Sequence, residues 1–291
     1  MTQPRTLSAF LELAQKHGHP LSKIFLEYEM KSSGQSLEAL RKTMADRLGV
    51  MRSALERGLQ QPQLSRSGLV QGDAQRMSVW IDAGKSLIAP AFSRMVAAAL
   101  AVAEVNACMG RIVAAPTAGS CGVLPAVLLV MAQERGFSDD ALVDALFTAG
   151  GIGLVIENHA SLSGAEGGCQ AEVGSASAMA AGALVELMGG SPDDVGHAVA
   201  FALANLMGLI CDPVQGLVEV PCVRRNAMGA VNALTSAEMA LSGQKSVFSA
   251  DQVIETMGNV GRRLPEEFRE TARGGLALLP CAGCSSQSSR S

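Results

Sequence analysis

Runs that alternate β-branched and polar residues, as a half-buried strand requires, are nearly absent from this chain. Apolar side chains recur instead in steps of three and four. From residue 36 to 59, Leu37, Leu40, Met44, Leu48, Met51, Leu55 and Leu59 draw a single stripe along a helix. The stretch from Ala89, APAFSRMVAAALAVAEVNACM, reads as a second helix whose alanines permit close packing. Aromatic residues are only 3% of the chain against 48% apolar, so Ala, Leu, Val and Met must build the core. Such a core favours helix over sheet.

Helix starts are marked chemically. Ser138 precedes DDALVDALF, and Ser191-Pro192-Asp193-Asp194 sets a cap, a first-turn proline and two acids before another helix. Ser249 and Gln252 have capping-box spacing. The expected fold is all-α, a predominantly helical single body with Gly-rich loops. It divides into an N-terminal helical segment and connection at 1–74, a main helical domain at 75–279 and a C-terminal tail at 280–291 with nothing to bury.

A net charge of −4, with no basic stripe interleaved with aromatics, argues against nucleic acid as a partner. The N-terminus lacks the basic start and continuous apolar core of a signal peptide. The most apolar later segments fall short of a membrane span or carry a charge such as Glu186. A cytoplasmic location is the expectation. Seven cysteines in a reducing compartment point to thiols, metal or catalysis before disulfides.

Three of those cysteines stand out. Cys169, Cys211 and Cys222 lie in GAEGGCQAEVG, LICDPVQG and VEVPC, turn-like segments rich in Gly and Pro between apolar helical runs. Three thiol ligands would leave one metal coordination position open, which a catalytic centre needs. Structural zinc sites use close cysteine pairs, and here only Cys281 and Cys284 make one. Widely spaced single cysteines better suit an iron–sulfur cluster held by several loops. For Cys211 and Cys222, spacing alone fits two buried packing thiols as well. Arg224 and Arg225 follow Cys222 at once, placed to lower a thiolate pKa or balance cluster charge. Cys108 reads as packing in a helical run, and Cys121 is ambiguous.

Two polar segments accompany the thiols. In APTAGSCGVLPA, Thr117, Ser120 and the amides around Gly119 and Gly122 precede a helix starting near Leu124, a turn that presents donors to an anion such as a carboxylate. An ordinary helix–helix connection explains the same residues. The segment from Asn158 to Gly174 gathers His159, Ser161, Ser163, Glu166 and Glu172 among four glycines, a polar density that packing does not explain. Its individual roles are not assigned by sequence.

Together these segments closely resemble the alpha subunit of the two-subunit, iron–sulfur-dependent L-serine dehydratases. The matching runs are SRSGLVQGDA at 65–74, AEVNACMGRIVAAPTAGSCGVLPA at 103–126, SGAEGGCQAEVGSASAMAA at 163–181, CDPVQGLVEVPCVRRNA at 211–227 and LPEEFRETARGGLA at 264–277. The resemblance implies a 4Fe-4S cluster on Cys169, Cys211 and Cys222, with Cys281 or Cys284 reaching it when no substrate is bound. It implies deamination of L-serine to pyruvate and ammonia, with Thr117, Gly119, Ser120, Asn158, Ser161 and Ser163 around the substrate and the base unassigned. It also implies a beta subunit, because the family's serine- and histidine-bearing substrate loop has no counterpart here. A potassium requirement is left open.

Two rival readings differ in the chemistry they need. Pyridoxal-phosphate chemistry needs a Schiff-base lysine and a phosphate loop, and only Lys85 sits in a loop-like context near glycine. A non-catalytic iron–sulfur or redox-sensing scaffold would close the coordination sphere permanently with a tail cysteine.

Overall fold

The computed structural model describes residues 4–280, so Cys281 and Cys284 lie outside the described residues. The all-α expectation holds. The helices are α1 (Leu7–His17), α2 (Leu21–Ser33), α3 (Leu37–Gln60), α4 (Asp73–Asp82), α5 (Pro90–Ala107) and α6 (Val123–Arg135). They continue as α7 (Asp139–His159), α8 (Gly164–Gly167), α9 (Ser175–Leu187), α10 (Pro192–Asn205), α11 (Cys222–Leu241) and α12 (Ala250–Arg263). Among the described residues the only strand-like pairings are the isolated bridges Leu64–Gln71 and Cys211–Arg269. No helix among them is long and apolar enough to cross a membrane.

The centre of the molecule is α9, SASAMAAGALVEL, buried from Ser175 through Val185. A helix apolar or small on every side belongs inside other helices, and α6, α7, α10 and α11 surround it. The predicted stripe of α3 faces inward at Leu40, Leu48 and Met51, while its first member, Leu37, is exposed. Core residues of α1, α2 and α3 join those of α5 to α7 and α9 to α12 in one apolar cluster. The predicted caps at Ser138, Ser191 and Ser249 accept hydrogen bonds from Ala141, Asp194 and Gln252 amides, and the last two are complete capping boxes.

Three other helix starts are closed by acids from distant helices. Asp251 at the start of α12 accepts from the Leu7 and Ser8 amides of α1 at 2.7 and 3.0 Å. Glu186 of α9 accepts from the Ser22 amide of α2 at 3.0 Å and from the Thr148 hydroxyl of α7. Glu104 of α5 accepts from the Asp73 amide of α4 at 2.7 Å. α2 and α4 begin after Pro20 and Gly72, which offer no capping side chain. A carboxylate satisfies orphan amides and meets the positive end of the helix dipole. Local sequence reading misses these caps because the acid lies far away along the chain.

Glu104 carries a consequence for stability. It is fully buried, its Oε2 has no partner, and burial pushes its carboxyl from 4.5 up to about 7. The folded protein thus binds a proton that the unfolded chain releases between pH 4.5 and about 7. Stability held below that window is lost as pH rises through it. Glu104→Gln keeps an acceptor for Asp73 and removes the titration. Denaturant melts from pH 5 to 7.5 should show the wild type losing ground to this variant, by roughly 3 kcal/mol at most.

Candidate active site at the cysteine loops

Three chain reversals meet at one end of α9. Cys169 leads into a π-helical turn, Gln170–Gly174, that runs straight into α9. Such wide turns are uncommon in helices and concentrate at functional positions. Gln170 ties this turn down: its amide donates to Leu209 O at 3.0 Å, its Oε1 accepts from the Gly208 amide and its Nε2 donates to Met257 O. Cys211 is held by the C-terminal segment, donating its amide to Phe268 O at 2.9 Å and accepting from the Glu270 amide. Cys222 is the first residue of α11.

Cys169 and Cys211 are each 3% exposed and pack against Val173 and Leu209. Cys222 is partly buried, and it and Cys169 both lie within electrostatic reach of Cys211. Burial is the largest influence on all three and pushes the thiols upward, Cys169 to about 11 and Cys222 to about 12. The two arginines divide. Arg225 faces Cys169 and favours its thiolate, but burial outweighs it, and the guanidinium is anchored to Asp212 at 2.8 Å and Ile210 O. Arg224 turns outward toward Asp73 at 3.6 Å. Thiols held neutral this way give up their protons on binding a soft metal centre.

The donor set fits a cluster better than one ion. A single tetrahedral zinc holds sulfurs at about 2.3 Å, so its ligand atoms crowd to about 3.8 Å from one another. Among the described residues the three thiols do not all lie within even 4.8 Å of one another, whereas one ligand atom each of Glu172, Cys211 and Glu270 do. Three separated, converging thiolates suit a polynuclear iron–sulfur group.

The two other motifs buttress the cysteine loops. Ser65 and Ser67 of the 65–74 run donate to buried Glu219 at 2.7 and 2.5 Å, bracing the loop between Cys211 and Cys222. Asn226 is 1% exposed and links α11 to the turn before α6. Its Oδ1 accepts from the Gly122 amide at 2.8 Å, and its Nδ2 donates to Gly119 O and Cys222 O. The Gly122 amide expected to meet an anion is therefore spent on Asn226.

Thr117 and Ser120 serve a carboxylate of the protein itself. The Thr117 hydroxyl donates to Glu172 Oε1 at 2.7 Å, leaving its oxygen to accept from buried Ser120 at 3.1 Å. Burial pushes the Glu172 carboxyl up, the Thr117 hydrogen bond opposes this, and the Glu270 charge adds to the rise. A Cβ on Gly164 would lie 2.6 Å from Glu172 Oε2, so only glycine lets this carboxylate sit where it does. Thr117, Ser161, Ser163, Glu172 and Glu270 line one cavity of about 440 Å³. Asn158 instead lines a neighbouring cavity with Arg5 and His159, whose Nε2 lies 2.8 Å from Arg5 O. Cys121 packs among Ala54, Val102 and Val105, and Cys108 ends α5.

The chain matches the family described as Serine dehydratase alpha chain over residues 16–277. It belongs to that family. It is 45% identical over 276 residues to the "Probable L-serine dehydratase, alpha chain" of Bacillus subtilis (strain 168), covering 95% of this chain and 92% of that one. The "L-serine dehydratase, alpha chain" of Peptoniphilus asaccharolyticus is 41% identical over 272 residues, 94% of this chain and 93% of its own. A longer relative, the "L-serine dehydratase" of Streptomyces coelicolor, is 41% identical over 277 residues, 94% of this chain but 60% of its own. Family membership accounts for the joint presence of the thiol loops and the motifs bracing them. The sequence reading missed Glu270 and left Glu172 without a role; their only signal was their place inside the matching runs.

Proposed function

We propose that this chain is the alpha subunit of an iron–sulfur-dependent L-serine ammonia-lyase that converts L-serine to pyruvate and ammonia. The observation that carries the reading is the convergence of Cys169, Cys211 and Cys222 beside a polar cavity in a chain of this family. A 4Fe-4S cluster on these cysteines would supply a Lewis-acidic iron at its open position, the help that a poor hydroxide leaving group needs. The protein's own contribution is to keep the thiols buried, with Arg225 balancing negative charge at Cys169. Ser161 and Ser163 add hydroxyls to the cavity wall, and the Ser120–Thr117 chain fixes Glu172 in a single orientation.

A beta subunit completes the enzyme in this proposal. Support comes from the relatives: separate alpha chains match this one nearly end to end, whereas the Streptomyces protein carries further length that it does not cover. An anaerobic assay of serine-dependent pyruvate formation, with and without an L-serine dehydratase beta chain, tests both points. Turnover is expected only from the pair. Activity of the isolated chain would refute the split site, and a cluster-loaded but inert pair would refute the activity.

A further inference from the structure

The cavity beside the cysteines has a one-sided charge. Glu157, Glu166, Glu172 and Glu270 all line it, and among the described residues no Lys, Arg or His does. Two of these acids are set against each other: one oxygen of Glu172 and one of Glu270 lie, with Cys211 Sγ, within 4.8 Å of one another. Neither carboxylate is in an ion pair among the described residues. Glu166 accepts from Ser161 at 2.7 Å, and Glu172 keeps its second oxygen turned toward Gly164 and the Glu270 carboxylate. Cys211, nine-tenths buried and more, points into the same gap a thiol that makes no hydrogen bond among the described residues.

Two carboxylates held this close repel each other unless a proton or another cation stands between them. The glycines around them preserve the arrangement, since a Cβ at Gly164 would strike Glu172 and one at Gly119 would crowd it at 3.1 Å. We infer that Glu172 and Glu270 bind the α-ammonium of the amino-acid substrate. An ammonium offers three N–H donors from one point, enough to reach both carboxylates at once. The inference rests on the activity proposed above and names how this chain recognises its substrate.

The test uses the anaerobically reconstituted two-chain enzyme and two ligands that differ only in the amine, L-serine and 3-hydroxypropanoate. Glu172→Gln and Glu270→Gln are each expected to raise the KM for L-serine roughly ten- to a hundredfold, as loss of a charge-assisted contact does. The inhibition constant of 3-hydroxypropanoate should stay within about threefold or tighten, because that ligand carries no ammonium to lose. The L-serine-induced change in the visible spectrum of the cluster, followed by titration, gives the same shift without relying on turnover. Cluster content should be unchanged in both variants. Equal weakening of both ligands, unaltered L-serine affinity, or a defect reversed by raised potassium would each overturn the assignment. An inert wild-type complex would show at the outset that the activity reading itself had failed. An active wild type with indifferent variants would remove only the carboxylate assignment.

Discussion

Serine in place of Cys169, Cys211 or Cys222, one position at a time, should abolish the visible absorption of anaerobically reconstituted protein and take serine dehydration to background. All three thiols converge on one buried region with no other sulfur placed to substitute among the described residues. Serine's hydroxyl is a hard, weakly acidic donor where the site offers thiolates to a soft metal. The loss should exceed the roughly 10–100-fold that changes outside the ligand shell cost. Cys108→Ser and Cys121→Ala supply the contrast. Cys108 closes α5 and Cys121 packs under α3 and α5, so both variants should keep full absorption. Retained cluster in all three ligand variants would defeat the assignment.

Gly58→Ala should be a strongly damaging single methyl addition to the fold. A Cβ there would sit 2.4 Å from Ala101 O and 2.6 Å from Ala101 C, both backbone atoms of α5. Backbone within a packed helix cannot rotate aside as a side chain can, so α3 and α5 must separate. Overpacking typically costs about 1–3 kcal/mol and more where nothing yields. The gain in helix propensity, about 1 kcal/mol, offsets only part of that. A loss of about 3 kcal/mol implies a melting point lower by roughly 6–12 °C in a chain of this size. Gly49 lies on the same helix with nothing within 4 Å of its would-be Cβ. Gly49→Ala should therefore raise the melting point slightly. Thermal melts of the two variants together separate packing from propensity.

Much of the helical architecture was legible because helices are local. The three-and-four spacing of α3, the serines before α7, α10 and α12, and the absence of alternating runs all lie within a few residues of what they predict. Arg225 and Arg224 show the limit. They are adjacent in sequence, and either could have faced the thiols. A helix turns about 100° per residue, so one reached Cys169 and the other went to Asp73 at the surface. The turn around Thr117 shows it again. Its composition suggested an anion site, but its donors are committed to Glu172 and Asn226, which come from other parts of the chain.

By itself the sequence determined an all-α chain and the family, and it singled out three cysteines as candidates, since periodicity, caps and motif identity are properties of short segments. Only the tertiary structure decided that Glu186, Glu104 and Asp251 close helices far from them along the chain. It alone set Glu172 against Glu270 beside Cys211. Those pairings depend on where helices cross. Crossing is settled by the packing of small side chains around α9, where a glycine or an alanine fixes how closely two backbones approach.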